Sequence, residues 1–576
     1  MEGLNGIDVF VFGAYFAVLV GIGFLVGSRQ EKTAEEYFLA GRRLPWYVVG
    51  ASFIGSNIST EHFIGMVGIA YTYGICVAHW EWGNLYTFSI LIWLFIPFLL
   101  ASRVFTAPEF LEKRFNPACR LFFAVLTVVA NVTAFLAAVL YAGSVGLKAA
   151  FAWPDTVSIL GLNVSTLVLG VVGLGVVAGS YAIYGGLRSV AWTDVFQVVV
   201  MVVGGVMVTV LGLRYLGDGD GVVAGWHIMI ARNLGHGEAW AAAIAQSAPE
   251  LVGRESYDRL QLFQPMTHKL IPWATVFCGW FSVGLWYNCI NQFMVQRVLA
   301  ARDSWHARMG IVFAGFMKVF MPFIVIVPGL IYFAMEPGLT DPQQIDQTYA
   351  VLVTRLLHVG LRGLLLAALF GAIQSTIDSV LNSTSTIITL DIHRKFIRPD
   401  ASEASLVSMG KWVSAVVLVA AMAIAPFIEG LGYGVFHYIQ NLYAYFAPPF
   451  AAVFLIGILW RRATAPAATI TIPAGIAFGL FLEFVVLKYW LTGSTAFTLR
   501  AVYNWLFCAI LMIVVSLVTK RPAADKVSDE VCVNWKNLAV FRDLGRPWYR
   551  NLGVWYFVFV CAILVCYAAF SGLFLR

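Results

Sequence analysis

Residues 50–66 read Gly50-Ala51-Ser52-Phe53-Ile54-Gly55-Ser56-Asn57-Ile58-Ser59-Thr60-Glu61-His62-Phe63-Ile64-Gly65-Met66. Ser56, Asn57, Ser59, Thr60, Glu61 and His62 fall inside a stretch otherwise apolar enough to span a bilayer. A charged residue at the centre of a membrane helix costs about 2.5 to 3.5 kcal/mol on insertion scales, so these groups are expected to line a cavity or bind something polar rather than face lipid. Ser56, Asn57 and Ser59 predict a break about midway, where unwound carbonyls coordinate a cation. A plainer reading, in which the hydroxyls with Gly55 and Gly65 only let helices pack closely, leaves Glu61 and His62 unexplained.

The chain around this stretch has 576 residues, 60% of them hydrophobic and 12% charged, a composition far from that of a water-soluble domain. It predicts an all-α integral membrane protein. Apolar runs of membrane-spanning length fall near 8–27, 46–71, 77–101, 121–147, 158–182, 190–213, 270–296, 309–334, 360–391, 408–428, 434–459, 464–487, 499–518 and 552–575, which gives about 14 transmembrane helices. No basic segment precedes the first run and no small-residue cleavage site follows it, so it is expected to stay as a helix. Lys and Arg concentrate in one set of alternate loops, including Arg42, Arg43, Lys113, Arg114, Arg394, Lys395, Arg461 and Arg462, which places those loops inside and both termini outside the cytoplasm of a plasma or inner membrane. The net charge of +6 then reflects topology, and no nucleic-acid partner is expected. No obligate protein partner is evident, and membrane lipid is the surrounding medium. The connections 214–269, outside, and 519–551, inside, are too short for a catalytic domain. The eight cysteines lack metal-ligand spacing, and no phosphate-binding loop is present, so any work is expected to come from an ion gradient.

Further polar groups punctuate the spans. Glu81 stands in His79-Trp80-Glu81-Trp82, where an interfacial aromatic belt is the alternative to a buried site. In residues 371–383, Ser375, Ser379 and Asn382 form one helical stripe with Gln374 and Asp378 beside it. That supply of oxygens suits Na+, whereas helix-to-helix hydrogen bonding is the alternative for Ser379 and Asn382. Lys318 needs a carboxylate, Glu81 or Glu61, or a substrate hydroxyl. Asp194 has Arg188 nearby as a structural partner. Gln440 is a further intramembrane amide.

In this order, these stretches resemble the solute:sodium symporter family, and within it the sodium/glucose (sugar) cotransporters. The resemblance runs through Glu36-Tyr-Phe-Leu-Ala-Gly-Arg42, Pro108-Glu-Phe-Leu-Glu-Lys-Arg-Phe115, Ile183-Tyr-Gly-Gly-Leu187, Trp192-Thr-Asp194, Asn291-Gln-Phe-Met-Val-Gln-Arg297, Leu381-Asn-Ser-Thr-Ser-Thr386 and Pro448-Pro-Phe-Ala-Ala-Val-Phe454. It implies a 5+5 inverted-repeat (LeuT-like) core with broken first and sixth core helices. Its repeats would be 46–213 and 270–459, with 1–45 as an extra helix and loop, 214–269 as an extracytoplasmic loop and 460–576 as extra helices. It implies Na+ ligands at the Gly55, Ile58 and Ala372 carbonyls and the Ser375 and Thr376 hydroxyls. Sugar contacts are implied at Asn57, His62, Glu81, Lys318 and Gln440, with Tyr287 as inner lid and Met66, Trp80 and Phe436 as outer lid. The chain departs from this pattern at Asn288, where sugar-transporting relatives often carry Trp, at Gly284, which replaces a polar side chain, and at Asp378, which replaces a small or hydroxyl residue. Asn288 joins the expected substrate contacts, and Asp194 with Asp378 is expected to form a second cation site.

The expected function is sodium-coupled uptake of a neutral glucose- or galactose-like sugar by alternating access. A polyol, a small carboxylate or an amino acid is the alternative cargo, and a sugar sensor that accumulates nothing is the alternative function. An enzyme using Glu61, His62 and Glu81 as acid and base groups is disfavoured, because no loop holds a co-substrate.

Overall fold

An apolar chain in lipid must satisfy its backbone within itself, which helices do. The computed structural model describes residues 5–571 except 28–32, 60, 152, 160, 248–257, 267, 269, 275–278, 342–343, 346, 432–434, 488–496, 536–543 and 546. Among the described residues, eleven helices are long and apolar enough to cross a membrane. Fourteen runs were expected from the sequence. Part of the difference is Thr166–Leu216, one continuous path in which two helices meet at Gly186 (φ 52°, ψ −152°), between the runs expected at 158–182 and 190–213. A Cβ at Gly186 would stand 2.4 Å from the Tyr37 carbonyl oxygen, so only glycine fits both the torsion and the close approach.

The rest of the difference lies in two interrupted runs. Trp46–Asn57 stops at Ile58, which is extended (φ −94°, ψ 113°), and the path resumes as a π-helical turn, Glu61–Met66, and the helix Val67–Tyr73. In the run expected at 270–296, Gly279–Leu285 continues as a π-helical turn, Trp286–Ile290, before Asn291 (φ −59°, ψ 126°) breaks it ahead of Gln292–Leu299. One expected boundary is corrected. Thr156–Ile159 and Leu162–Ser165 pair as antiparallel strands with Thr156 opposite Ser165, so the helix expected from 158 begins at Thr166.

Leu361–Ile397 is the most deeply buried of the eleven helices, whereas Gly6–Gly27 and Leu552–Ala569 lie at the periphery. Its polar stripe is therefore shielded from lipid on every side. The N-terminal helix caps it: Asp8 Oδ1 accepts from the Gly360 and Gly363 amides at 2.6 and 3.0 Å, placing an anion at the positive helix end. Arg259, in the long 214–269 connection, holds the other end of the broken first run. Its guanidinium donates to the Thr72 and Tyr71 carbonyls, each at 2.6 Å, and lies 3.7 Å from the centre of the Phe333 ring.

Candidate substrate and cation sites

The break after Asn57 turns the chain so that two separate polar clusters form, one on each side of the Trp46–Asn57 helix. In the first, Lys318 projects from Ser304–Val325 to within 2.8 Å of Glu81 Oε2 and also donates to Asn57 Oδ1. Glu81 is the partner that Lys318 finds; the side chain of Glu61 lies outside the described residues. His62 Nε2 is 3.2 Å from Glu81 Oε1, while its Nδ1 accepts from the Ser59 amide at 3.3 Å. An Nδ1 that accepts carries no proton, so the ring is the neutral Nε2–H tautomer and donates to Glu81. One carboxylate, one ammonium and a neutral imidazole sum to no net charge.

These groups border a cavity lined by Asn57, His62, Met66, Trp80, Glu81, Asn84, Val283, Tyr287, Lys318, Gln440 and Tyr443. The mixture of aromatic and polar walls suits a small organic molecule. Tyr287 leans on Tyr443 and Phe293, with ring centres 5.8 and 5.7 Å away. Eight residues nominated from the sequence therefore share one cavity. Asn288 stands one layer behind it, donating to Asn84 Oδ1 at 2.7 Å and Thr87 Oγ1 at 3.0 Å. The Phe436 side chain lies outside the described residues. Asn84, Val283 and Tyr443 were not nominated. Their signal was spacing, since Asn84 follows Glu81 and Tyr443 follows Gln440 by three positions on the same helical face.

In the second cluster, Asp194 Oδ1 accepts from Ser375 Oγ and Oδ2 accepts from Ser52 Oγ at 2.5 Å. The cation beside Asp194 is Arg297, at 3.6 Å, and not Arg188. Thr376 Oγ1 donates to the Ala372 carbonyl at 3.2 Å. A Cβ at Gly55 would lie 3.2 Å from both Ser375 Oγ and Asp194 Cβ, so the backbone just before the first break comes directly onto this cluster. Asp378 Oδ2 accepts from the Tyr181 hydroxyl at 2.6 Å, and its Oδ1 from Ser379 Oγ at 3.2 Å. Ser379 Oγ also meets Ser56 Oγ at 2.9 Å and takes a hydrogen bond from Arg297. Asp194, Asp378 and Arg297 are each fully buried. With both carboxylates ionised, the cluster has an excess of one negative charge.

A sequence profile of the sodium:solute symporter family matches residues 37–475. The chain belongs to that family. A sodium/glucose cotransporter of Vibrio parahaemolyticus is 36% identical over 538 residues, covering 90% of this chain and 91% of that protein. A sodium/myo-inositol cotransporter of Bos taurus is 30% identical over 582 residues, covering 93% of this chain and 77% of that protein. The solved structure of a Na+-coupled sialic acid symporter, in its substrate-bound outward-open state, superposes with a TM-score of 0.70 at 20% identity, covering 90% of this chain and 99% of that one. That likeness gives the fold. The protein is thus a multi-pass, helical membrane protein of a sodium-coupled symporter family.

Proposed function

We propose that this symporter takes up a neutral sugar of the glucose or galactose type together with Na+. The observation that carries this reading is the charge balance of the cavity, where Glu81 and Lys318 neutralise one another and His62 is committed to Glu81. A sugar hydroxyl both donates and accepts, so it suits such a wall, whereas a carboxylate would need a second, uncompensated cation. In this reading Asn57, His62, Glu81, Lys318 and Gln440 contact the sugar, Tyr287 closes the inner side, and Met66, Trp80 and Phe436 close the outer side. A polyol is the second reading, favoured by the sodium/myo-inositol relatives at about the same coverage.

Na+ is cargo here. The Gly55, Ile58 and Ala372 carbonyls and the Ser375 and Thr376 hydroxyls would hold one ion, and Asp194 with Asp378 a second. The core is read as two inverted five-helix repeats, 46–213 and 270–459, within fourteen spans whose termini lie outside the cytoplasm. The breaks near Ile58 and at Asn291, each in the first helix of a repeat, support that reading. Coupling follows if Na+ binds the outward-facing state more tightly, because a ligand of equal affinity for both states shifts nothing. At 100 mV one Na+ contributes about 2.3 kcal/mol and a tenfold gradient about 1.4 kcal/mol, together enough for about 500-fold accumulation of an uncharged solute. The test is uptake of labelled D-glucose, D-galactose and myo-inositol into proteoliposomes under an inward Na+ gradient, against K+ at equal voltage. Sodium-dependent accumulation of a hexose is expected; accumulation of myo-inositol alone would favour the polyol reading, and none of the three would reject both.

A further inference from the structure

Asn288 is fully buried and lies outside the cavity wall, yet it joins three helical segments around it. It sits in the π-helical turn Trp286–Ile290, just ahead of the Asn291 break. Its amide nitrogen donates to Asn84 Oδ1 and Thr87 Oγ1 on Asn84–Ile90, and its carbonyl accepts from Asn57 Nδ2 at 3.4 Å, at the end of Trp46–Asn57.

The direction of this amide chain is fixed at both ends. Asn84 Nδ2 donates to the Trp80 and Glu81 backbone carbonyls at 2.7 and 3.2 Å, which only accept, so Asn84 turns its oxygen to Asn288. Asn288 must then present its NH2 to Asn84 and its oxygen to Asn57. Asn57 in turn must present its NH2 to Asn288 and its oxygen to Lys318, whose ammonium only donates. Reversing any one amide would set donor against donor or oxygen against oxygen at a buried contact. Lys318 therefore directs one N–H to Asn57, which holds its ammonium at the wall of the cavity that it lines, 2.8 Å from Glu81 Oε2 as an ion pair.

We infer that Asn288 is a positioning residue for substrate recognition: acting through Asn57, it fixes the Lys318 ammonium so that it presents an N–H to a substrate hydroxyl in the cavity. The hydroxyl as acceptor rests on the sugar reading; the relay itself does not.

The test is a double-mutant cycle of Asn57→Ala and Asn288→Leu, read in D-galactose uptake and, separately, in apparent melting temperature in Na+ without sugar. Each single variant is expected to raise KM about tenfold or more while kcat changes less than about threefold, and the pair is expected to stay within about twofold of Asn57→Ala alone. KM increases that multiply in the pair, or an unchanged KM in Asn288→Leu, would overturn the inference. Without sugar, the melting shift of the pair is expected to be clearly smaller than the sum of the single shifts, and additive shifts would overturn the relay. If the wild type moves no D-galactose, D-glucose or myo-inositol, the sugar reading fails, and the melting cycle still decides whether the relay exists. Should Asn288→Leu not fold, Asn288→Ala serves in the same cycle with the same expectations.

Discussion

Glu81 and Lys318 meet in the cavity as one carboxylate against one ammonium, whereas in the second cluster Asp194 pairs with Arg297 and Asp378 is linked to that guanidinium only through Ser379. Both clusters are shielded from lipid, and both draw on the same broken helix. With both aspartates of the second cluster ionised, the two differ by one charge. In a medium where an unpaired charge costs several kcal/mol, that difference would sort cargo on the proposed reading: a balanced wall suits a neutral polyhydroxylated ring, and a wall with excess negative charge suits a cation. The two sites are adjacent because Ser56 meets Ser379 in one cluster while Asn57, the next residue, meets Lys318 in the other.

The largest expected effect breaks the balanced side. Lys318→Met leaves Glu81 buried without its counter-charge, at a cost of about 3 to 5 kcal/mol. Its thermal unfolding in detergent should shift sharply downward. Adding Glu81→Gln should recover most of that stability without recovering sugar uptake; recovery of uptake would mean that the pair is structural only. Next, Asp378→Ala removes the excess charge on the other side. The sodium Hill coefficient should fall towards one and maximal accumulation should drop by about 500-fold, the contribution of one ion. An unchanged Hill coefficient and charge-to-sugar ratio would remove Asp378 from cation binding.

Smaller effects sharpen the contrast. Gln440→Ala should raise the sugar KM about tenfold, the cost of one lost hydrogen bond of roughly 1.4 kcal/mol, with Na+-induced thermal stabilisation unaltered. Asp8→Asn keeps an acceptor for Gly360 and Gly363 but removes the anion from the start of Leu361–Thr386. It should cost about 0.3 to 1 kcal/mol of stability in thermal unfolding and leave the sugar KM unchanged.

Much of this contrast was legible in the sequence because ionisable residues inside apolar runs are conspicuous. Ser56 to His62 pointed to a break, and Glu81, Lys318 and Gln440 stood out as intramembrane polar groups that the family resemblance placed at a sugar site. What could not be read was partnership. Arg188 is near Asp194 in sequence, but the guanidinium that reaches Asp194 comes from Arg297, brought across by folding, and no local periodicity reports such a pairing. Asn288 stood out in the sequence as a departure from the family pattern and an expected substrate contact, and its place behind the cavity wall depends on which way Asn57 and Asn84 turn their amides. The strand pair Thr156–Ile159 and Leu162–Ser165 was missed for a different reason: its apolar residues prolong a hydropathy run, and the alternation of Val157, Ile159, Leu162 and Val164 with polar neighbours was the strand signal passed over.

The most direct test of the balanced cavity beside an anionic cluster is charge movement during sugar uptake. In proteoliposomes with a controlled membrane potential, labelled D-galactose uptake and net charge entry should be measured together across a range of Na+ gradients. Accumulation that requires Na+ and brings in positive charge with each sugar, two charges if both cation sites fill, is the predicted result. Uptake that is electroneutral, or that proceeds equally well in K+, would contradict the account.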